Sequence, residues 1–121
     1  MPWGSKTAGT QQTLINNSTP EVILSDIDLK PGETAHVQVR VNNESGSVTD
    51  PCIISVYTSL GDTTYDDFAA QEFEILPAGI GDERISIVIS GVSRFKIEAL
   101  SGGATDTYTA DTDYQLDGVD L

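Results

Sequence analysis

The chain has 121 residues, nineteen of them Asp or Glu against six Lys or Arg, for a formal charge of −13. That length suits one domain with its own core, and 38% apolar with 21% charged residues is the balance of a folded protein and not of an acidic disordered one. The charge argues against nucleic acid, where affinity comes from cations neutralising phosphates, and against an anionic membrane surface. A single cysteine excludes an internal disulfide and a Cys-built zinc site, and a single histidine excludes a multi-histidine metal centre.

In chain order, residues 1–12 read as a polar, Gly-containing N-terminal arm with one aromatic, Trp3, leading into a first strand at Thr13-Leu14-Ile15. Nothing here has the apolar core of a signal peptide, and no run approaches the ~18 apolar residues of a membrane helix, so synthesis in a cytoplasm without membrane insertion is expected. Burying one Trp returns too little to order twelve residues at ~1–2 kcal/mol each. The arm is therefore expected to be mobile in the free protein unless it adds a strand to a sheet edge.

Residues 13–121 read as a single domain with a period of two almost throughout. Leu24, Ile27 and Leu29 lead to Lys30-Pro31-Gly32-Glu33, where Pro sets the first turn position and Gly takes the positive φ of a type II turn. Ala35, Val37, Val39 and Val41 then alternate with Thr34, His36, Gln38, Arg40 and Asn42, the pattern of a half-buried antiparallel strand. Cys52 to Leu60 is a second strand, with Ile54, Val56 and Leu60 expected inward and Ile53 and Tyr57 outward. After the turn material Gly61-Asp62-Thr63-Thr64, the stretch Tyr65 to Gln71 is the weakest strand and could form one helical turn. Glu72 to Leu76 is a strand closed by Pro77-Ala78-Gly79. Ile85, Ile87 and Ile89 alternate with Ser86, Val88 and Ser90, and Phe95, Ile97 and Ala99 with Arg94, Lys96 and Glu98. Tyr108, Ala110, Thr112, Tyr114 and Leu116 share the last inward parity. Seven to eight short strands with turn signals between them predict an antiparallel β-sandwich, immunoglobulin-like or jelly-roll. Phe73 and Ile75 join the inward residues as expected core.

Candidate chemistry is sparse. His36 and Cys52 would make a nucleophilic dyad only if the thiol were exposed and its pKa lowered. Cys52 beside Ile53 and Ile54 instead reads as a small core filler, and His36 lies on the polar parity of its strand. Asp62, Asp66 and Asp67 share a loop and are the candidates for a calcium site, with the spaced pairs Asp26/Asp28 and Asp111/Asp113 as further carboxylates. The EF-hand pattern is missing, however, and alternating aspartates mostly mark a solvated face. No phosphate loop, dinucleotide fingerprint or nucleophile elbow is present, and a sandwich this short leaves little room for a substrate cleft. The reading is a non-enzyme without cofactor. Apolar residues on faces that ought to be wet are the partner-binding candidates: Ile53, Tyr57, Val88 and, on the arm, Trp3.

Trp3-Gly4-Ser5-Lys6-Thr7, the internal Pro31-Gly32-Glu33-Thr34-Ala35-His36-Val37-Gln38-Val39, Ser90-Gly91-Val92 with Arg94-Phe95, and the closing Tyr114-Gln115-Leu116-Asp117-Gly118-Val119 together resemble, in collinear order over nearly the whole chain, a family of small proteins of tailed bacteriophages. The resemblance brings no catalytic motif. It implies a β-sandwich virion protein, foremost a capsid decoration (cement) protein on the outer surface of the head, with the major capsid protein or other virion proteins as partners; separately, the outward Ile53, Tyr57 and Val88 predict a homo-oligomer or a partner-bound form in the working state. The alternative it leaves open is a neck, tail or fibre component, including a module for a host glycan. For the latter, Tyr65 with Asp62, Asp66 and Asp67 is the aromatic–carboxylate cluster that the sequence offers.

Overall fold

The computed structural model describes residues 7–8, 12–15, 19–43, 50–61, 64–76, 82–103 and 108–118, the first two stretches as backbone only. Among these, nine strands follow in order: β1 (Thr7–Ala8), β2 (Gln12–Ile15), β3 (Glu21–Asp28), β4 (Thr34–Asn43), β5 (Cys52–Ser59), β6 (Gln71–Ile75), β7 (Asp82–Ile89), β8 (Arg94–Ser101) and β9 (Tyr108–Asp117). They form two antiparallel sheets packed as a sandwich. One runs β9-β4-β7, with β1 and β2 both paired to the far side of β9; the other runs β3-β8-β5-β6.

The pairing is nested. β5 pairs with β6, β4 with β7, β3 with β8 and β2 with β9, so the chain is one long hairpin rolled over itself. The contacts β4·β9 and β5·β8 then knit the roll into its two sheets. Of the two arrangements compatible with the sequence pattern, this is the jelly roll.

Period-two alternation produces this burial directly. In β4 the buried residues are Ala35, Val37, Val39 and Val41, in β5 Cys52, Ile54 and Val56, and in β8 Phe95, Ile97 and Ala99. Ile87, Ile89, Ile75, Tyr108 and Ala110 complete the same layer, with Phe73, Ile85, Tyr114 and Leu116 packed against its margin. The Lys30–Glu33 turn forms as expected: the Glu33 amide donates to the Lys30 carbonyl at 2.9 Å and Gly32 sits at φ 82°, which a side chain would strain.

Three expectations change. Leu60 points outward and is 73% exposed. The strand stops at Ser59, whose carbonyl is held by the Ser93 amide and hydroxyl, each at 3.0 Å, and Gly61 turns the chain at φ 80°. The inward place falls instead to Thr58. No helical turn forms between Tyr65 and Gln71. The segment runs beside β5 with bends at residues 67, 68 and 70, the Asp66 amide donating to the Thr58 carbonyl (3.1 Å) and the Ala70 amide to the Val56 carbonyl (2.8 Å). Third, β3 breaks the period: its register against β8 slips twice, between Val22 and Leu24 and between Leu24 and Ile27. These bulges bury the consecutive Ile23 and Leu24 together.

Within the expected arm, Thr7 and Ala8 lie opposite Tyr114 and Asp113, and Gln12 opposite Ala110. The arm thus reaches the β9 edge, the circumstance under which it need not be free. Trp3 lies outside the described residues.

Candidate functional site

The outer face of the β3-β8-β5-β6 sheet concentrates interacting side chains. Tyr57 on β5 lies opposite Lys96 on β8, and Ser55 opposite Glu98. Lys96 and Glu98, two residues apart and on one face, form an ion pair at 3.0 Å. The Lys96 ammonium stands 5.5 Å from the Tyr57 ring centre and 4.7 Å from that of Tyr65, within reach of a cation–π attraction to both. Tyr65 comes from the β5–β6 connection and crosses the sheet so that its hydroxyl donates to Asp26 on β3 at 2.5 Å. Burial first, and then Asp26, pushes the Tyr65 phenol above its ordinary pKa. Arg94 on β8 donates to Asp28 at 2.7 Å, and that bond raises the guanidinium pKa further.

Beside this network is a groove of about 190 Å³ lined by Pro20, Ile53, Ser55, Tyr57, Glu72 and Leu100, among others. Two predicted partner residues, Ile53 and Tyr57, therefore share one surface. Val88 does not join them. It stands on the outer face of the other sheet, 54% exposed, opposite His36, in a groove of about 260 Å³ of mixed polar and apolar lining that includes Gln38, Ser86, Asp113 and Tyr114.

The remaining candidates separate. Cys52 is buried in β5 and His36 is half-buried on β4, in opposite sheets. Burial pushes the Cys52 thiol up to about 12, the reverse of what a nucleophile needs. Asp26 accepts from Tyr65, Asp28 from Arg94, and Asp111 from Arg40, so each of these carboxylates faces a protein donor. Asp66 and Asp67 are exposed, Asp62 lies outside the described residues, and among those described no group of three His, Cys, Asp or Glu is placed to hold a metal ion.

Sequence reasoning passed over Phe68. It is 86% exposed, the most exposed large apolar side chain among the described residues, and was hidden by reading its segment as a helical turn. The signal was Asp66-Asp67-Phe68: a ring between carboxylates and other polar or small residues has no strand parity to bury it.

No family model matches the sequence, and no curated protein sequence matches it. Solved structures do match the fold. A subunit from "Bacillus endospore appendages", described as a family of disulfide-linked pili, aligns over 99% of this chain and 93% of its own at 12% identity and a TM-score of 0.52. The VP2 chain of the infectious bursal disease virus subviral particle aligns over 93% of this chain at 12% identity and a TM-score of 0.53. This chain spans about a third (32%) of that one. The CBM22-1 xylan-binding domain of Paenibacillus barcinonensis Xyn10C aligns over 97% of this chain and 87% of its own, at 15% identity and a TM-score of 0.51. At such identities the likeness is one of fold.

Proposed function

We propose that this chain is a non-enzymatic structural protein of a phage virion that decorates the outside of the head by binding the coat lattice. The observation that carries the reading is the pairing of a rigid jelly roll with apolar anchors on its outer faces: Ile53 and Tyr57 on one sheet, Val88 on the other. A sheet face offers a flat, preorganised surface for a lattice, and aromatic and aliphatic side chains at its centre are what such contacts bury. Support comes from the sequence resemblance to tailed-phage proteins and from the use of the same fold in a capsid chain and a pilus subunit. The charge of −13 would keep the domain soluble and clear of packaged DNA. The test is copy number in virions of the phage that encodes the chain, by quantitative mass spectrometry. Hundreds of copies support decoration; six or twelve place the protein at the neck or tail. Tyr57→Asp should lower occupancy if Tyr57 is an anchor.

A second reading has its own observation. Tyr57, Tyr65, Asp26 and Arg94 set aromatic rings beside hydrogen-bonding groups on one sheet face, and a xylan-binding domain shares the fold. A fibre-borne glycan module would use that face. Lys96 stands against both rings, so a sugar would have to displace it, which ranks this reading second. Glycan-array binding lost in Tyr65→Ala would support it.

A further inference from the structure

Pairing across three strands builds a walled site on the outer face of the β3-β8-β5-β6 sheet. Ser55 on β5 lies opposite both Glu72 on β6 and Glu98 on β8, so the three form one row across the sheet. Neighbouring strands lie about 4.8 Å apart, which sets the two glutamates about 10 Å apart at the backbone, with the shortest side chain of the row between them. Along β5, Ile53 and Tyr57 flank Ser55 on the same face. All of these residues line the groove of about 190 Å³. Its floor is small, two opposite walls are carboxylates, and the other two are apolar.

The occupant follows from those walls. Glu72 and Glu98 are the charged residues of the lining. Glu98 is paired with Lys96 at 3.0 Å, and no ion pair reaches Glu72 among the described residues. The surplus is negative, on a chain of −13, so the groove selects a cation and disfavours acidic partners, further copies of this chain included. A metal ion is a poor match, because calcium wants six to eight oxygens and no group of three ligating side chains gathers among the described residues. The apolar walls require a cation on a hydrocarbon stem. The volume is below the roughly 300–1,000 Å³ of small-molecule sites and suits one side chain. Arginine meets these terms better than lysine. Its planar guanidinium carries enough donors for two carboxylates at once and packs flat on an aromatic ring, whereas lysine brings a compact, strongly hydrated point charge.

We propose that this groove receives an arginine side chain presented by a protein partner, with the guanidinium over Ser55 between Glu72 and Glu98 and the stem against Ile53 and Tyr57. The assignment rests on the reading of this face as a partner surface, and it gives the partner's contact patch a chemistry, which is basic. It also gives Lys96 a part. Paired with Glu98 and 5.5 Å from the Tyr57 ring centre, Lys96 holds two of the walls before anything binds, which lowers the ordering cost of docking. Because the contact joins opposite charges at a surface, added salt should weaken it.

Nuclear magnetic resonance titration of the isotope-labelled chain tests this with a blocked Gly-Arg-Gly peptide, and with Gly-Lys-Gly and Gly-Glu-Gly for comparison. The arginine peptide should shift the Ser55, Tyr57 and Glu72 amides first, bind more tightly than the lysine peptide, and lose affinity as salt rises. The glutamate peptide should leave those amides in place. Glu72→Gln, at an exposed position, should melt as wild type does and weaken the arginine peptide about fivefold, the upper end for an exposed ion pair. Ser55→Leu, which fills the floor, should abolish the localised shifts and leave the rest of the spectrum unchanged. Shifts spread evenly over the acidic surface, a lysine peptide bound as tightly as the arginine one, or a Glu72→Gln chain that binds like wild type would each overturn the proposal. Virion occupancy reads the coat contact separately. If wild type binds the arginine peptide at Ser55 while Glu72→Gln decorates heads at the wild-type level, the arginine site stands and this face is removed from the coat contact.

Discussion

The Tyr65 hydroxyl bridges two segments 39 residues apart, and its removal isolates one bond. Tyr65→Phe keeps the ring against Lys96 and leaves Asp26 exposed to water, so no buried acceptor is stranded. The expected cost is about 0.5–1 kcal/mol in urea denaturation, the lower part of the range for a single hydrogen bond. Cys52 gives a sharper signature. Its thiol ordinarily ionises near 9.0 and is held to about 12 by burial. Above pH 9 the unfolded chain releases a proton that the folded chain keeps, so the unfolded state binds fewer protons and stability falls as pH rises. The contribution is fully present below about 9 and is lost progressively toward 12. Denaturation across that window should show a steeper decline in wild type than in Cys52→Ala; parallel profiles would mean that the thiol is accessible in the fold. None of these contacts could be read from the sequence. Asp26 gave a spaced-carboxylate pattern but no hint that a tyrosine from the β5–β6 connection would cross β8 to reach it.

Among the elements, β7 sets two adjacent residues in opposite environments. Ile87 is 2% exposed and Val88 54% exposed. Ile87→Ala should destabilise by about 2–5 kcal/mol, as truncation of a buried aliphatic does, whereas Val88→Ala should stay within about 0.5 kcal/mol. Comparable losses would show that the β7 edge is covered in solution. The alternation that makes this prediction possible was legible in the sequence, as were the inward faces of β4, β5, β8 and β9, because one buried sheet face imposes a period of two. β3 was not, since bulges shift parity without any local residue signal, and Ile23-Leu24 reads as a run. Leu60 was misplaced because parity persists in a sequence after the strand itself has ended. For the candidate surface, Ile53 and Tyr57 were found by that same parity. Phe68 was missed because a loop has none.

For the whole molecule, the sandwich was predictable and its strand order was not, because pairing partners lie far apart along the chain. Nested pairing makes most contacts non-local, and chain closure must precede the contacts that reward it. Refolding from urea should therefore run on the millisecond-to-second scale of all-β domains rather than in microseconds. A stopped-flow fluorescence trace completed within the dead time would contradict the topology.

The roll also fixes an order of birth. Of the nine described strands β9 leaves the ribosome last, yet it lies between β4 and the pair β1 and β2. Until residues 108–117 emerge, β4 lacks a neighbour along one entire side and the two earliest strands have none in their sheet. A nascent chain can close its innermost hairpin, β5 with β6, and add layers outward, but one flank stays raw throughout elongation. The sheet therefore closes only once β9 has emerged. A chain truncated before residue 108 leaves an open, sticky edge and not a smaller version of the protein, and cellular quality control would meet that edge first.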